Sequence, residues 1–501
     1  MKKDVWIILV FILALGFISR IVFSNTNVFF FDSDEAIVGL MGIDYLKGNF
    51  PIYFYGQTYG LAFFEALLVS GGIALFGTTM MAIKIPMLVL WLMGVYFLSR
   101  SVHELSSRKL WFTLLFASLI ILSPAWLVWS MKARGGYLTS FFFSSLLIWL
   151  AIQYRDRIKF GGWLAIGIGL TIIIESQPLW FIPTLLILLF TLFTYNSNMK
   201  RSLTYLGTMG IGATAVITLL HFVKSGLRSI WDPPTTNILH QLSEIGSLPS
   251  MLGEHLEGNY FLGVGYTTGT KIYALIFSLV WIIGLVVNIR AFVKDRRSTE
   301  TRWGLVLSSC SIIALSGFLI REEYRYLLPF SGFALFSLAL AYHHIQGGMR
   351  KAYPYILSIV LMIGLLRLPR FMDYSFVNMS MKTVDKHIEN DQELMKDLIR
   401  LLEYHNIKYV YTVNASLYYQ LNYLTNYEIL TITEKDRCRV DWMLDEVYAA
   451  YPQKRNEFAL VGYNFGFAQT GKIPMVGNKI YYILAPDPPL LQSVRFFKRD
   501  N

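Results

Sequence analysis

Three carboxylates within four positions form the densest group of ionisable side chains in the first part of the chain. They lie in the stretch Phe31-Asp32-Ser33-Asp34-Glu35-Ala36. Because like charges repel, at least one of these carboxyl groups should have a raised pKa unless a cation lies nearby. One of these carboxylates could act as a general base toward a hydroxyl group. The alternative interpretation is a solvated acidic loop in which Asp32 or Ser33 caps a helix.

The same carboxylates could serve a metal ion. Asp32 and Asp34 could hold a divalent cation, with phosphate oxygens of a substrate completing its coordination shell. The eight histidines are scattered and form no zinc-binding pattern such as H-E-x-x-H. We therefore expect a site that requires no metal or cofactor, and we keep a divalent cation at the two aspartates as the alternative.

Two basic stretches supply candidate anion ligands. They are Lys132-Ala133-Arg134-Gly135-Gly136-Tyr137 and Arg321-Glu322-Glu323-Tyr324-Arg325-Tyr326. Ammonium and guanidinium groups bind phosphate well. The predicted ligands of a substrate phosphate are Lys132, Arg134, Arg321 and Arg325. The alternative is internal pairing of Arg321 or Arg325 with Glu322, Glu323 or the acidic loop.

A third stretch is suited to sugar binding. Residues 51–60 place Tyr55, Gln57 and Tyr59 beside glycines, which would offer flat apolar faces and hydrogen-bonding groups; an aromatic belt at the membrane surface is the alternative. Glu65 follows in an apolar segment, where a carboxylate is a functional candidate by default. Further candidate substrate contacts are the tyrosines of the basic stretches, Tyr137, Tyr324 and Tyr326. Glu175 could contact substrate or pair with a cation.

Membrane-spanning helices must position these residues. The 501 residues are 54% hydrophobic and 15% charged, against about 25% charged in soluble domains. The bilayer must therefore be the solvent for most of the chain. Eleven apolar runs are suited to spanning: 5–24, 82–99, 110–129, 137–153, 161–176, 178–195, 203–222, 271–290, 303–319, 326–343 and 353–369.

The positive-inside rule predicts the orientation of these helices. If residues 61–78 form a helix on the outer side that does not span, the basic clusters between apolar runs face the cytoplasm, as does the N-terminus. Topology then explains the net charge of +11, and a nucleic-acid partner is excluded. The acidic loop within 25–81, the loop 223–270 and the chain after residue 370 are predicted to lie outside, in the plasma or inner membrane of a cell.

The chain therefore divides into two predicted domains. Residues 1–370 form a transmembrane catalytic domain, and residues 371–501 have the composition of a soluble protein. In this tail Leu394, Leu398, Leu401 and Leu402 follow helical spacing, and strands are predicted at 407–413, 427–432, 458–463 and 480–484. The alternation predicts a small extracytoplasmic α/β domain.

These features resemble the GT-C glycosyltransferases. The resemblance rests on the acidic pair Asp34-Glu35, on Gly56-Gln57-Thr58-Tyr59 before an acidic surface helix, and on Arg325-Tyr326 followed by Pro329. The branch it points to is that of the protein O-mannosyltransferases and aminoarabinose transferases, including the RgtA-like lipopolysaccharide sugar transferases. A K-P-P stretch typical of the family is replaced here by Tyr55-Gly56-Gln57.

The resemblance implies an activity. Such an enzyme transfers a sugar from a polyprenyl-phosphate donor to an acceptor hydroxyl on the outer face, with inversion and usually without metal. It implies catalytic roles for Asp34 and Glu35 and donor-phosphate binding by Arg325. The acceptor would be a lipid, a glycan or a protein. The alternatives are a lipid-linked oligosaccharide ligase or polymerase and a non-enzymatic lipid or glycan transporter.

Overall fold

A computed structural model describes most of the chain. The described residues are 2–22, 31–106, 108–155, 157–195, 198–225, 244–258, 267–319, 324–367, 391–412, 414–433, 441–462, 475–476 and 480–486.

The described residues before position 368 are built mainly from α-helices. They are α1 (Lys2–Val22), α2 (Ser33–Leu46), α3 (Phe63–Phe76), α4 (Met80–Leu105), α5 (Leu110–Ile121), α6 (Pro124–Trp129), α7 (Tyr137–Gln153), α8 (Phe160–Ser176), α9 (Phe181–Tyr195), α10 (Met199–Ser225), α11 (Leu248–Leu256), α12 (Thr268–Lys294), α13 (Thr299–Leu315), α14 (Leu328–His344) and α15 (Gly348–Arg367).

Among the described residues, seven helical segments are long and apolar enough to cross a membrane. They contain α1, α4, α9, α10, α12, α14 and α15. The other predicted runs form helices of 12 to 17 residues, namely α5, α7, α8 and α13. A polytopic helical membrane protein is therefore confirmed, while the total of eleven spanning segments stays a prediction.

The prediction of one helix over 110–129 is wrong. The chain breaks at Leu122 and Ser123, because Pro124 disfavours a helical residue before it and Ser123 is extended, with ψ 128°. Arg20 of α1 lies at this elbow. Its guanidinium donates to the carbonyl of Ile121 at 2.8 Å and to the carbonyl of Trp126 at 3.2 Å. Arg20 thereby satisfies carbonyl groups near the interruption.

Helix α3 is the segment predicted to lie on the outer surface. Its 14 residues extend about 21 Å, which is less than the roughly 30 Å of a bilayer core. It packs against α2 and α4. Gly72 allows this close approach, because a Cβ there would lie 2.0 Å from the carbonyl oxygen of Ala82.

The C-terminal part is the predicted α/β unit. Its elements are α16 (Asp391–Tyr404), β1 (Tyr409–Thr412), α17 (Ala415–Leu424), β2 (Leu430–Ile432), α18 (Asp441–Ala450), β3 (Phe458–Gly462), β4 (Met475–Val476) and β5 (Ile480–Leu484). The strand order is β2-β1-β3-β5-β4. The first three strands are parallel, and β5 is antiparallel to both β3 and β4.

The leucine stripe of α16 packs on this sheet. Leu394, Leu398 and Leu402 share a buried cluster with Val410 of β1 and Val461 of β3. Parallel strands with both faces covered carry continuous apolar runs, and the burial of all residues in β1 and β3 fits that rule.

Helix α17 joins the C-terminal unit to the membrane part. The side-chain amide of Gln420 donates to the carbonyl of Phe31 at 2.5 Å, and the hydroxyl of Tyr423 donates to the carbonyl of Thr79 at 2.8 Å. The ring of Tyr423 also contacts Phe31, with centroids 5.6 Å apart. The contact places the tail directly against the residue that precedes the acidic motif.

Candidate active site

The acidic motif begins helix α2. Asp32 is the N-cap residue, and its side chain accepts the backbone N–H of Glu35 at 3.0 Å. Glu35 in turn accepts the backbone N–H of Asp32 at 3.2 Å. The two side chains form a capping box, which satisfies N–H groups at the start of the helix. The capping role proposed for Asp32 is therefore confirmed.

Two buried lysines neutralise this motif. The ammonium of Lys132 lies 3.0 Å from Asp32 and 2.8 Å from Glu35. Lys84, from α4, lies 2.5 Å from the other oxygen of Glu35. Of these residues, Glu35 and Lys132 are completely buried. Lys132, which the sequence predicts as a phosphate ligand, is thus paired with carboxylates of the protein itself.

Arg134 links the two aspartates. Its guanidinium lies 2.7 Å from Asp32 and 3.1 Å from Asp34. Burial alone would raise the pKa of Asp32, but the charges of Arg134 and Lys132 outweigh it and hold that pKa well below its usual range. The cations that the sequence analysis required near the acidic motif are thus protein side chains.

The same geometry bears on the divalent cation considered for Asp32 and Asp34. Arg134 already bridges their carboxylates. A metal ion could therefore bind these two side chains only by displacing the guanidinium group of Arg134. Within the described ranges no group of three or more His, Cys, Asp or Glu residues could hold a metal ion.

Glu65 fixes the loop that carries Arg134. Its carboxylate accepts the backbone N–H groups of Arg134 and Gly136, each at 2.9 Å. Gly135 and Gly136 have φ of 65° and 115°, values that glycine adopts without strain. Burial raises the pKa of Glu65 to about 7, against the opposing effect of the backbone hydrogen bonds. The predicted functional carboxylate is therefore in contact with the basic stretch.

Arg325 also belongs to this cluster, although it is far from Arg134 in sequence. It lies in the short helical turn Tyr324–Leu327. Its guanidinium carbon is 6.0 Å from the ring centre of Tyr137 and 5.4 Å from that of Tyr326. It is also close enough to Arg134 for the two positive charges to repel. The loops of residues 31–35, 132–137 and 324–326 therefore meet at one place.

Asp34 is the accessible member of the acidic motif. Its side chain is 30% exposed, whereas those of Asp32 and Glu35 are 2% and 0% exposed. A carboxylate that accepts a proton from a substrate must be reachable by that substrate. The direct role predicted for Asp34 fits this exposure, while the burial of Glu35 fits a role through its neighbours.

The candidate sugar-binding stretch has a different environment. Tyr55 donates a hydrogen bond to Asp44, which lies ten residues after Asp34 on α2 and so about 15 Å along the helix. Gln57 and Tyr59 are half-buried in the same loop. The loop touches the basic stretch through Phe54, whose ring would lie 2.8 Å from a Cβ on Gly135.

Other predicted residues fall outside this cluster or outside the described ranges. Glu175 pairs with Lys224 at 2.7 Å and accepts a hydrogen bond from the hydroxyl of Tyr53 at 3.1 Å. Of the two roles considered for Glu175, this is the pairing with a cation. Arg321 and the side chain of Tyr324 are not among the described residues.

One member of the cluster was missed. Lys84 lies in an apolar helix and was not singled out, although a lone lysine in such a segment is itself a signal of function or pairing. Its partner Glu35 is 49 residues away in sequence. The presence of the charge was visible from the sequence, but its partner was not.

The chain is similar to known proteins in structure. The chain matches no family model and no curated protein in sequence. Among solved structures it is similar to ArnT from Cupriavidus metallidurans bound to undecaprenyl phosphate, with a TM-score of 0.60 and 10% identity over 96% of this chain and 98% of that one. The apo state of ArnT aligns over 97% and 99% of the two chains, with 11% identity and a TM-score of 0.45. The chain therefore has the GT-C fold that its sequence features predict.

Proposed function

We propose that the protein is a membrane glycosyltransferase. It moves a sugar from a polyprenyl-phosphate donor to an acceptor hydroxyl on the extracytoplasmic face, with inversion at the anomeric carbon. The observation that carries the proposal is that an accessible carboxylate, Asp34, pairs with Arg134, while Arg325 lies near enough to Arg134 for their charges to interact. The likeness in fold to ArnT, whose structure contains undecaprenyl phosphate, supports the donor class.

The donor phosphate lies between the two arginines. Arg134 and Arg325 repel each other, and an anion placed between them removes that repulsion while gaining charge-assisted hydrogen bonds. The ring faces of Tyr137 and Tyr326 against Arg325 hold its guanidinium in place. Because the phosphate gains negative charge as it leaves, the arginines stabilise the transition state more than the bound donor.

The reaction is a single displacement. The oxygen of the acceptor hydroxyl attacks the anomeric carbon, and the bond from that carbon to the phosphate oxygen breaks. The electron pair of the broken bond leaves with polyprenyl phosphate, and the hydroxyl proton moves to the carboxylate of Asp34. One displacement at the anomeric carbon inverts its configuration. Glu35, Lys84 and Lys132 form the buried ion-pair network that holds the start of α2 in position.

The test is a transfer assay with purified protein and a panel of polyprenyl-phosphate sugars. Release of polyprenyl phosphate is the readout. Asp34→Asn is expected to lower the rate by roughly 10²-fold or more. Asp397→Asn makes the same chemical change at a side chain that is 59% exposed in the C-terminal unit, and it should leave the rate unchanged.

The outcomes separate the alternatives. A near-normal rate for Asp34→Asn would contradict the assignment of the base. Transfer of a preformed chain instead of a single sugar would identify a ligase or polymerase. Movement of an intact donor across the membrane without bond cleavage would identify a transporter.

A further inference from the structure

An apolar groove runs between α7 and α8. Its walls include Leu146 and Leu150 of α7 and Ala165, Ile168 and Ile172 of α8, and it encloses a cavity of about 510 Å³. That volume lies within the roughly 300–1,000 Å³ of pockets that bind small molecules. Ala165 and Ile168 are exposed on the surface of the protein. In a bilayer such a groove is filled by hydrocarbon, since water would gain no hydrogen bonds from its walls.

One end of the groove is basic. Arg157 and Lys159 line it there, beside the ring of Tyr154, and all three side chains are exposed. Residues 155–159 contain three basic side chains and one acidic side chain, Asp156, which lies outside the described residues. Tyrosine and basic side chains at the end of a spanning segment are typical of the level of lipid headgroups.

This end is remote from the candidate active site. Tyr137, which contacts Arg325, begins α7, and Tyr154 follows its last residue. Seventeen residues of helix separate the two ends by about 25 Å. The basic end of the groove therefore lies near the membrane face opposite the site and is distinct from the proposed donor site.

We propose that the groove binds one acyl chain of an anionic glycerophospholipid, with the headgroup phosphate against Arg157 and Lys159. The lining of the groove runs from Lys159, the N-cap residue of α8, to Ile172 within α8. This stretch is about 20 Å long. That length exceeds half of a bilayer core of roughly 30 Å, so it accommodates a chain from a single leaflet. Basic pockets between spanning helices select anionic headgroups by charge. The inference does not depend on the transferase activity.

The test is native mass spectrometry of the purified full-length protein with defined lipids. Dioleoyl-phosphatidylglycerol and dioleoyl-phosphatidylcholine have the same chains and differ in headgroup charge. We expect phosphatidylglycerol to bind about thirtyfold more tightly, the scale of two basic contacts at a membrane surface. The double variant Arg157→Ala/Lys159→Ala should lose this preference. The matched control Arg296→Ala/Arg297→Ala removes two exposed cations after α12, outside the groove lining, and should keep it.

A second variant tests the groove itself. Ala165→Phe adds a ring within the groove at an exposed position, and it should weaken phosphatidylglycerol binding while circular dichroism stays unchanged. If this variant does not fold, Ala165→Leu makes the same test with a smaller side chain. Equal binding of the two lipids, or full binding by a folded groove-filling variant, would overturn the proposal. So would complete displacement by inorganic phosphate, or a tenfold preference for undecaprenyl phosphate.

Discussion

At the scale of residues, the contacts of Lys132 include two carboxylates of the acidic motif. It is completely buried between Asp32 and Glu35. Removing one partner of a buried ion pair leaves an uncompensated charge in a low-dielectric environment. The sequence predicted a phosphate ligand at this position, whereas the burial and pairing of Lys132 favour a structural role.

We expect Lys132→Met to lower the free energy of unfolding by about 3–5 kcal/mol. Lys224→Met makes the same change in a pair whose members are 30% and 16% exposed, and it should cost about 1 kcal/mol or less. Thermal unfolding in one detergent compares the two variants. Equal shifts in Tm would argue that the buried network around Lys132 contributes no more to stability than the more exposed pair of Lys224.

Glu65 predicts a pH dependence of stability. Its pKa is raised from 4.5 to about 7 in the folded protein, so folding favours the protonated form. The resulting contribution is complete below about pH 4.5 and is lost as the pH rises through about 7, by at most about 3 kcal/mol.

Glu65→Gln has no proton to lose at this position, so its Tm should fall less than that of the parent protein between pH 5 and pH 8. Parallel curves for the two proteins would show that Glu65 does not titrate in this range. Other titrating groups act on both proteins alike, and the difference between the curves isolates Glu65.

At the scale of elements, α17 packs against the start of α2. Gln420 donates to the carbonyl of Phe31, the residue immediately before Asp32. Gly39 of α2 leaves room for this packing, because a Cβ there would lie 2.5 Å from the ring of Tyr423. This contact leads us to expect that the C-terminal unit positions the acidic motif.

We expect Gln420→Ala to lower kcat for sugar transfer about fivefold, the equivalent of one hydrogen bond of about 1 kcal/mol. The donor KM should change little, because Arg134 and Arg325 are untouched. Gln453→Ala, an exposed amide after α18, is the control. Identical kinetics for the two variants would show that Gln420 does not position the start of α2.

The elements themselves were largely predictable, because hydrophobic periodicity and proline placement act locally. Four of the five strands and the leucine stripe of α16 follow from pattern alone. Strand β4 was missed because its two residues are too short to show alternation. The pairings of the site were not predictable, since Asp32 and Arg134 are 102 residues apart and only the tertiary structure brings them together.

At the scale of the whole molecule, the site and the basic loops lie at opposite ends of the helices. The positive-inside rule then predicts that the acidic motif faces outward. In a Cys438→Ser background, Phe50→Cys places a thiol where the side chain is 63% exposed, just beyond α2. Arg297→Cys places one in the exposed basic loop after α12.

An impermeant maleimide should label the thiol at position 50 in intact cells and the thiol at position 297 only after permeabilisation. Cys310 is buried and should contribute little to either signal. The reverse pattern would place the acidic motif in the cytoplasm. It would contradict the prediction that the reaction takes place on the extracytoplasmic face.

The elbow between α5 and α6 also has a consequence for biogenesis. Arg20 leaves the ribosome 101 residues before Ile121 and 110 residues before Ser130, whose hydroxyl it also contacts. Until those residues are made, α1 carries an arginine that lacks its later ligands. We therefore expect α1 to reach its final position only after α5 and α6 have been synthesised.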